Sequence, residues 1–166
     1  MFICFIWSFG LIASATEAGP SFLPANDPVQ IETALIARAR NAALCGDENG
    51  TDAELMTPGA ERNIAPSVLL ARRTMAVCGW LQNDNEFARA KKLAQRAIRR
   101  LASMQESNDG DRAERLYWEA LLEGRILDRR KVALERLAAA KKLKPGDERV
   151  LALDGEFTAA MAQFGH

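Results

Sequence analysis

The stretch from Glu114 to Asp147 leaves this chain few choices. Two helical patterns, ERLYWEALLEGRIL and RRKVALERLAAAKKL, follow one another with almost nothing between them, and Pro145 closes the second. In that second pattern Val132, Ala133, Leu134, Leu137, Ala140 and Leu143 recur at spacings of three and four, which is one face of a helix. Asp128 stands where it would cap this helix, and Pro145-Gly146 stops it. A hairpin this short cannot bury its apolar stripe alone, so it must stack on neighbours. The expectation is an all-α chain of stacked antiparallel helix hairpins.

The rest of the chain supplies those neighbours. Asp27-Pro28 pairs an N-cap with the favoured first helical residue, which predicts a helix from Pro28 to Leu44 ending near Gly46. Residues 47–63 read as a long irregular, acidic stretch with one helical turn at Asp52 to Met56. Its Asn49-Gly50-Thr51 is a glycosylation sequon, and its carboxylates lack the spacing of a calcium loop. From Pro66 a second hairpin follows, turning at Asn83-Asp84-Asn85 and continuing through EFARAKKLAQRAIRRLASM. After Pro145, residues 149–162 form one more amphipathic helix, expected to solvate the end of the stack.

The amino terminus is of another kind. Met1 to Ala15 is apolar and carries no charged side chain, too short for a comfortable membrane span of about 20 residues. Small residues at Ala13, Ala15 and Ala18 make residues 1–18 read as a secretory signal peptide, with an uncleaved anchor as the alternative. Residues 19–27, with Pro20 and Pro24, form a linker, and residues 28–166 form the helical domain. This places the domain in the periplasm or outside the cell, or tethered to a membrane and facing away from the cytoplasm.

Charge and composition narrow the function. Net charge is zero, but residues 85–144 carry 16 Lys and Arg against 9 Asp and Glu, while the remainder carries 6 against 13. The basic side chains of the helix 86–104 flank its apolar face on both sides without interleaved aromatics, which is the pattern of solvated faces rather than of a nucleic-acid groove. The only histidine is His166, which excludes most histidine-based catalysis and histidine-rich metal sites. Glu119 and Glu123 are four apart on one helix, but no second carboxylate pair faces them, and Arg115–Glu119 is more simply an intrahelical ion pair. No phosphate-binding glycine loop occurs, and no cofactor or metal is implied. Cys45 and Cys78 allow two arrangements. One is a disulfide closing a loop of roughly 34 residues, worth about 3–4 kcal/mol in an oxidising compartment. The other is a pair of small thiols with no bond.

The hairpin resembles a tetratricopeptide repeat, a helix-turn-helix unit of about 34 residues. With Pro145 as the closing proline, Tyr117 takes the aromatic site of the first helix. Ala133, Leu137 and Ala140 take the small, large and small sites of the second. Leu121 stands where the family usually has Gly, and Gly124 where it has Tyr. The resemblance implies a tetratricopeptide-like α-solenoid of about six helices after the leader. It implies protein or peptide binding in a groove lined by first helices. The implied groove positions are Arg72, Met75, Gly79 and Gln82, then Arg115, Trp118, Leu122 and Arg125, then Arg149, Ala152 and Glu156. Arg72, Arg115 and Arg149 share one equivalent position, a column of guanidinium groups suited to a partner carrying carboxylates, with Trp118 as an anchor. The expected role is therefore noncatalytic: an exported accessory or scaffold of an envelope assembly. A membrane-anchored subunit of a larger complex is the runner-up, and an enzyme of unrecognised type the third reading.

Overall fold

A computed structural model describes residues 27–59 and 63–164. The leader and the first part of the linker lie outside the described residues. Within them the chain is all helical: α1 (Pro28–Cys45), α2 (Glu48–Met56), α3 (Pro66–Asn83), α4 (Phe87–Leu101), α5 (Asp109–Leu121), α6 (Arg130–Leu143) and α7 (Glu148–Phe164). A π-helical turn, Leu122–Ile126, continues α5. No described helix is long and apolar enough to cross a membrane.

Local chemistry sets most boundaries. The Asp27 carboxylate accepts from the Val29 amide at 2.9 Å and Pro28 opens α1; Gly46 closes it in the left-handed region at φ 77°. The stretch after Gly46 folds more than its composition suggests. Asp47 caps α2 by accepting from the Gly50 amide at 2.8 Å, and the buried Thr51 hydroxyl donates to the Asp47 carbonyl at 2.6 Å. That turn, with Leu55 buried beneath it, makes a nine-residue helix where only one turn was expected. The sequon threonine is thereby committed to the helix start. Asp128 does not cap α6. It adopts φ 57° in the connecting turn and pairs with Arg130 at 3.3 Å, while Arg129 takes the cap position without a side-chain hydrogen bond. Asp is among the few residues other than Gly that tolerate this left-handed conformation.

Packing follows a succession of hairpins: α1 with α2, α3 with α4, α5 with α6. The first helices contact one another, α1 with α3 and α3 with α5, and the second helices reach the next unit through α2–α3 and α6–α7. Two apolar cores result. One joins α1 to α4 and the π-helical turn through Leu70, Val77, Leu81, Leu93, Leu101 and Leu122. The other joins α5, α6 and α7 through Leu116, Leu121, Leu137, Val150, Leu153 and Phe157. Met75 and Trp118 pack against both and weld them together.

Gly124 has a packing reason. A Cβ there would lie 2.3 Å from the Phe157 ring, so the aromatic of α7 occupies the space a side chain would need. A tyrosine at this position would be incompatible with that packing.

Candidate functional site

The sequence-derived groove divides into two parts. Around α5 and α7 its residues turn inward or onto one another. Leu122 is fully buried in the first core. Trp118 is part-buried, and its indole N–H donates to Glu114 at 3.0 Å. Arg115, with 13% of its side chain exposed, is held by Glu106 at 2.6 Å and by Glu119. Arg149 pairs with Glu114 and Asp147 and lies 5.1 Å above the Tyr117 ring. Those hydrogen bonds from Arg149, ahead of one from Lys144, hold the Asp147 carboxyl down to about 2, and Arg149 likewise holds Glu114 below the usual range. Arg125 reaches Glu156 at 2.8 Å, and Ala152 is exposed. The guanidinium column is therefore neutralised by the chain's own carboxylates: Glu119 and Asp147 are close in sequence, while Glu32, Glu106 and Glu114 come from other elements that a helix-by-helix reading does not pair.

The part around α1 and α3 remains open. Pro28, Val29, Glu32, Thr33 and Ile36 of α1 face Arg72 and Ala76 of α3 across a groove of about 310 Å³. Its walls are mostly apolar side chains. Val29 is 71% exposed, and farther along α3 Trp80 is 38% exposed, with the Arg40 guanidinium 6.0 Å above its ring. Gly79, between Ala76 and Trp80, has nothing within 4 Å of where a Cβ would stand. Arg72 sits 3.6 Å from Glu32 at the rim, and Arg40 pairs with Asp84 through its Nε at 2.9 Å. Met75 and Gln82 are half-buried; Met75 faces the cores.

Arg73, the residue beside Arg72, holds this groove together and was not singled out by sequence. It is completely buried. Its Nε and Nη2 donate to the two oxygens of Glu32 at 2.8 and 2.7 Å, and its Nη1 donates to the carbonyls of Leu55 and Thr57 at 3.1 and 2.6 Å. One guanidinium thus joins α1, the carboxyl end of α2 and α3, with the bidentate geometry that makes such pairs strong. Hydrogen bonds from Arg73 are the main reason the Glu32 carboxyl is held below its ordinary range. The available signal was positional: Arg73 falls on the same helical face as Leu70 and Val77.

The acidic stretch and the basic helix also find each other. Lys92 and Arg96 of α4 bind Glu48, and Arg96 and Arg100 bind Asp52. Arg89 donates to the Ala43 carbonyl at 3.1 Å and caps the end of α1. Much of the positive charge in α4 is thus consumed within the fold.

Cys45 and Cys78 carry no bond in this structure. Cys45 is exposed at the end of α1, and Cys78 is buried, its thiol donating to the Ala90 carbonyl at 3.3 Å. Burial pushes the Cys78 thiol up to about 12. Among the described residues no group of three His, Cys, Asp or Glu side chains is placed to hold a metal ion.

No family model, no curated protein and no solved structure matches this chain.

Proposed function

We propose that this chain is a noncatalytic protein-binding scaffold of the tetratricopeptide-like kind, which takes a partner segment in the groove between α1 and α3. The observation that carries the reading is the pairing of an open apolar groove with large exposed apolar side chains beside it, Val29 and Trp80. A contiguous exposed apolar patch rimmed by polar residues is a mark of a protein-binding site. The rim supplies Arg72 and Arg40, each beside a carboxylate, so a partner gains affinity from apolar contact and register from the rim. The apolar leader at residues 1–15 favours an exported protein acting in an envelope assembly, with tethering through an uncleaved leader as the second reading.

Site-specific photocrosslinking in the producing cell tests this. A crosslinking residue at Ala76 or Ile36 should capture a discrete protein, and one at Lys142, on the exposed side of α6, should not. Equal capture from all three positions, or none from the groove, would remove the proposal. Fractionation with the mass of the recovered chain separates the exported from the tethered form.

A further inference from the structure

A second concavity lies on the opposite layer, between the carboxyl half of α4 and the start of α6. It encloses about 240 Å³ and is lined by Gln95, Ile98 and Arg99 of α4 and by Leu127 and Arg129 of the connecting turn. No carboxylate pairs with Arg99 among the described residues. Arg129 is half exposed, and its one carboxylate contact is a long one, 3.5 Å to Glu123. The Gln95 side chain adds an amide donor, and Arg129 itself leaves the adjoining start of α6 without a side-chain cap.

Beneath Arg129 lies an ionic cluster with poor geometry. Glu123, in the π-helical turn, is 3% exposed, and its Oε2 makes no hydrogen bond. It faces Glu119 from α5, Arg129 from the turn and Arg136 from α6; Arg136 in turn sits 3.3 Å from Glu119, which also binds Arg115. From the other elements packed on the π-helical turn, α7 brings the Phe157 ring over Gly124 and α4 brings Leu93 and Leu101 of the first core, with Gln95 and Arg99 across the cleft. A buried carboxylate that is only half satisfied is a weak competitor for the arginine it shares with solvent.

We propose that this cleft is an oxyanion site in which Arg99, Arg129 and Gln95 hold a phosphate- or sulfate-sized group, and that the anion competes with Glu123 for Arg129. Two guanidinium forks and an amide suit the tetrahedral oxygens of such a group. Binding is coupled to protonation. Desolvation raises the Glu123 carboxyl above its ordinary range, against the opposing pull of Arg129 and Arg136. As pH falls Glu123 becomes neutral, Arg129 loses its anionic neighbour, and the cleft holds an anion more tightly. By linkage a bound anion favours protonated Glu123.

Sulfate is the probe, because its charge does not change over the range. The full chain is titrated with sulfate at constant ionic strength, following backbone amide resonances. The expected result is saturable shifts at Arg129, Arg130 and Lys131, with affinity that rises as pH is lowered and Glu123 takes up its proton. Arg99→Ala removes an exposed, unpaired side chain without disturbing the core and should weaken binding about tenfold, the value of one charge-assisted hydrogen bond. Arg129→Gln should do the same. Glu123→Gln should bind sulfate at high pH as the unaltered chain does at low pH, with no pH dependence. The proposal is overturned if shifts are non-saturable and spread over all exposed arginines, if Arg99→Ala titrates like the unaltered chain, or if Glu123→Gln keeps the pH dependence. Inorganic phosphate and a monocarboxylate run alongside identify which oxyanion the cleft prefers.

Discussion

Replacing Arg73 by Met keeps much of the side chain's bulk and deletes its charge. The structure sets the cost. Arg73 is fully buried and makes four hydrogen bonds, two to Glu32 and two to the carbonyls that end α2. The variant leaves a partly buried carboxylate, 21% exposed, with only the longer 3.6 Å contact to Arg72, and two backbone carbonyls without their donor. Breaking one side of a buried pair costs about 3–5 kcal/mol. For a domain of this size that lowers Tm by about 6–20 °C. The pH dependence gives a second check. Glu32 is held below its unfolded value, so its stabilisation is present above that value and is lost as pH falls through the folded one. The gap between the unaltered chain and Arg73→Met should therefore narrow in acid. Urea unfolding followed by circular dichroism at several pH values measures both. A neutral-pH loss below about 1 kcal/mol, or a gap that does not change with pH, would mean that Arg73 is not the tie described. Glu32→Gln combined with Arg73→Met should cost less than the sum of the single changes, since each deletes the same interaction.

Gly124→Ala should destabilise by about 1–3 kcal/mol, because its Cβ meets the Phe157 ring at 2.3 Å, and Phe157→Leu in the same chain should recover part of the loss in thermal melts. Asp147→Asn should cost roughly 1–2 kcal/mol at neutral pH, discounted for the half-exposed Arg149; because Asp147 is lowered to about 2 in the fold, the difference should vanish as pH falls from about 4 through about 2. In native conditions a thiol reagent read peptide by peptide should label the exposed Cys45 quickly and the buried Cys78 only after denaturant is added, and equal rates would contradict the packing around Cys78. Trp80→Ala should cost about 1–2 kcal/mol, for its part-buried ring and the Arg40 contact, and leave the chain folded while removing crosslinks from Ala76.

Much of the fold was legible residue by residue. The caps at Asp27 and Gly46, the turn at Asn83-Asp84-Asn85 and the stop at Pro145 act on their own backbone, so they read the same in sequence and in structure. The helix α2 was half legible, because Asp47 and Thr51 are a local start signal but Leu55 needs a core to be buried in. Asp128 misled, since it stands in the left-handed turn and Arg129 takes the cap position instead. The site was less legible still: Arg72 and Arg73 are neighbours of one residue type, yet one stands at a groove rim and the other is sealed inside.

The sequence by itself determined that this chain is helical, where most helices begin and end, and that each carries one apolar face, because those properties depend on residues a few positions apart. Only the tertiary structure decided which charges face which. Arg73 meets Glu32 across 41 positions, Arg96 meets Asp52 across 44 and Arg149 meets Glu114 across 35, so arginines on first and second helices alike answer to the chain's own carboxylates. A charge carries no label of its partner, and the pairing is set by which helix faces are pressed together when the apolar stripes are buried.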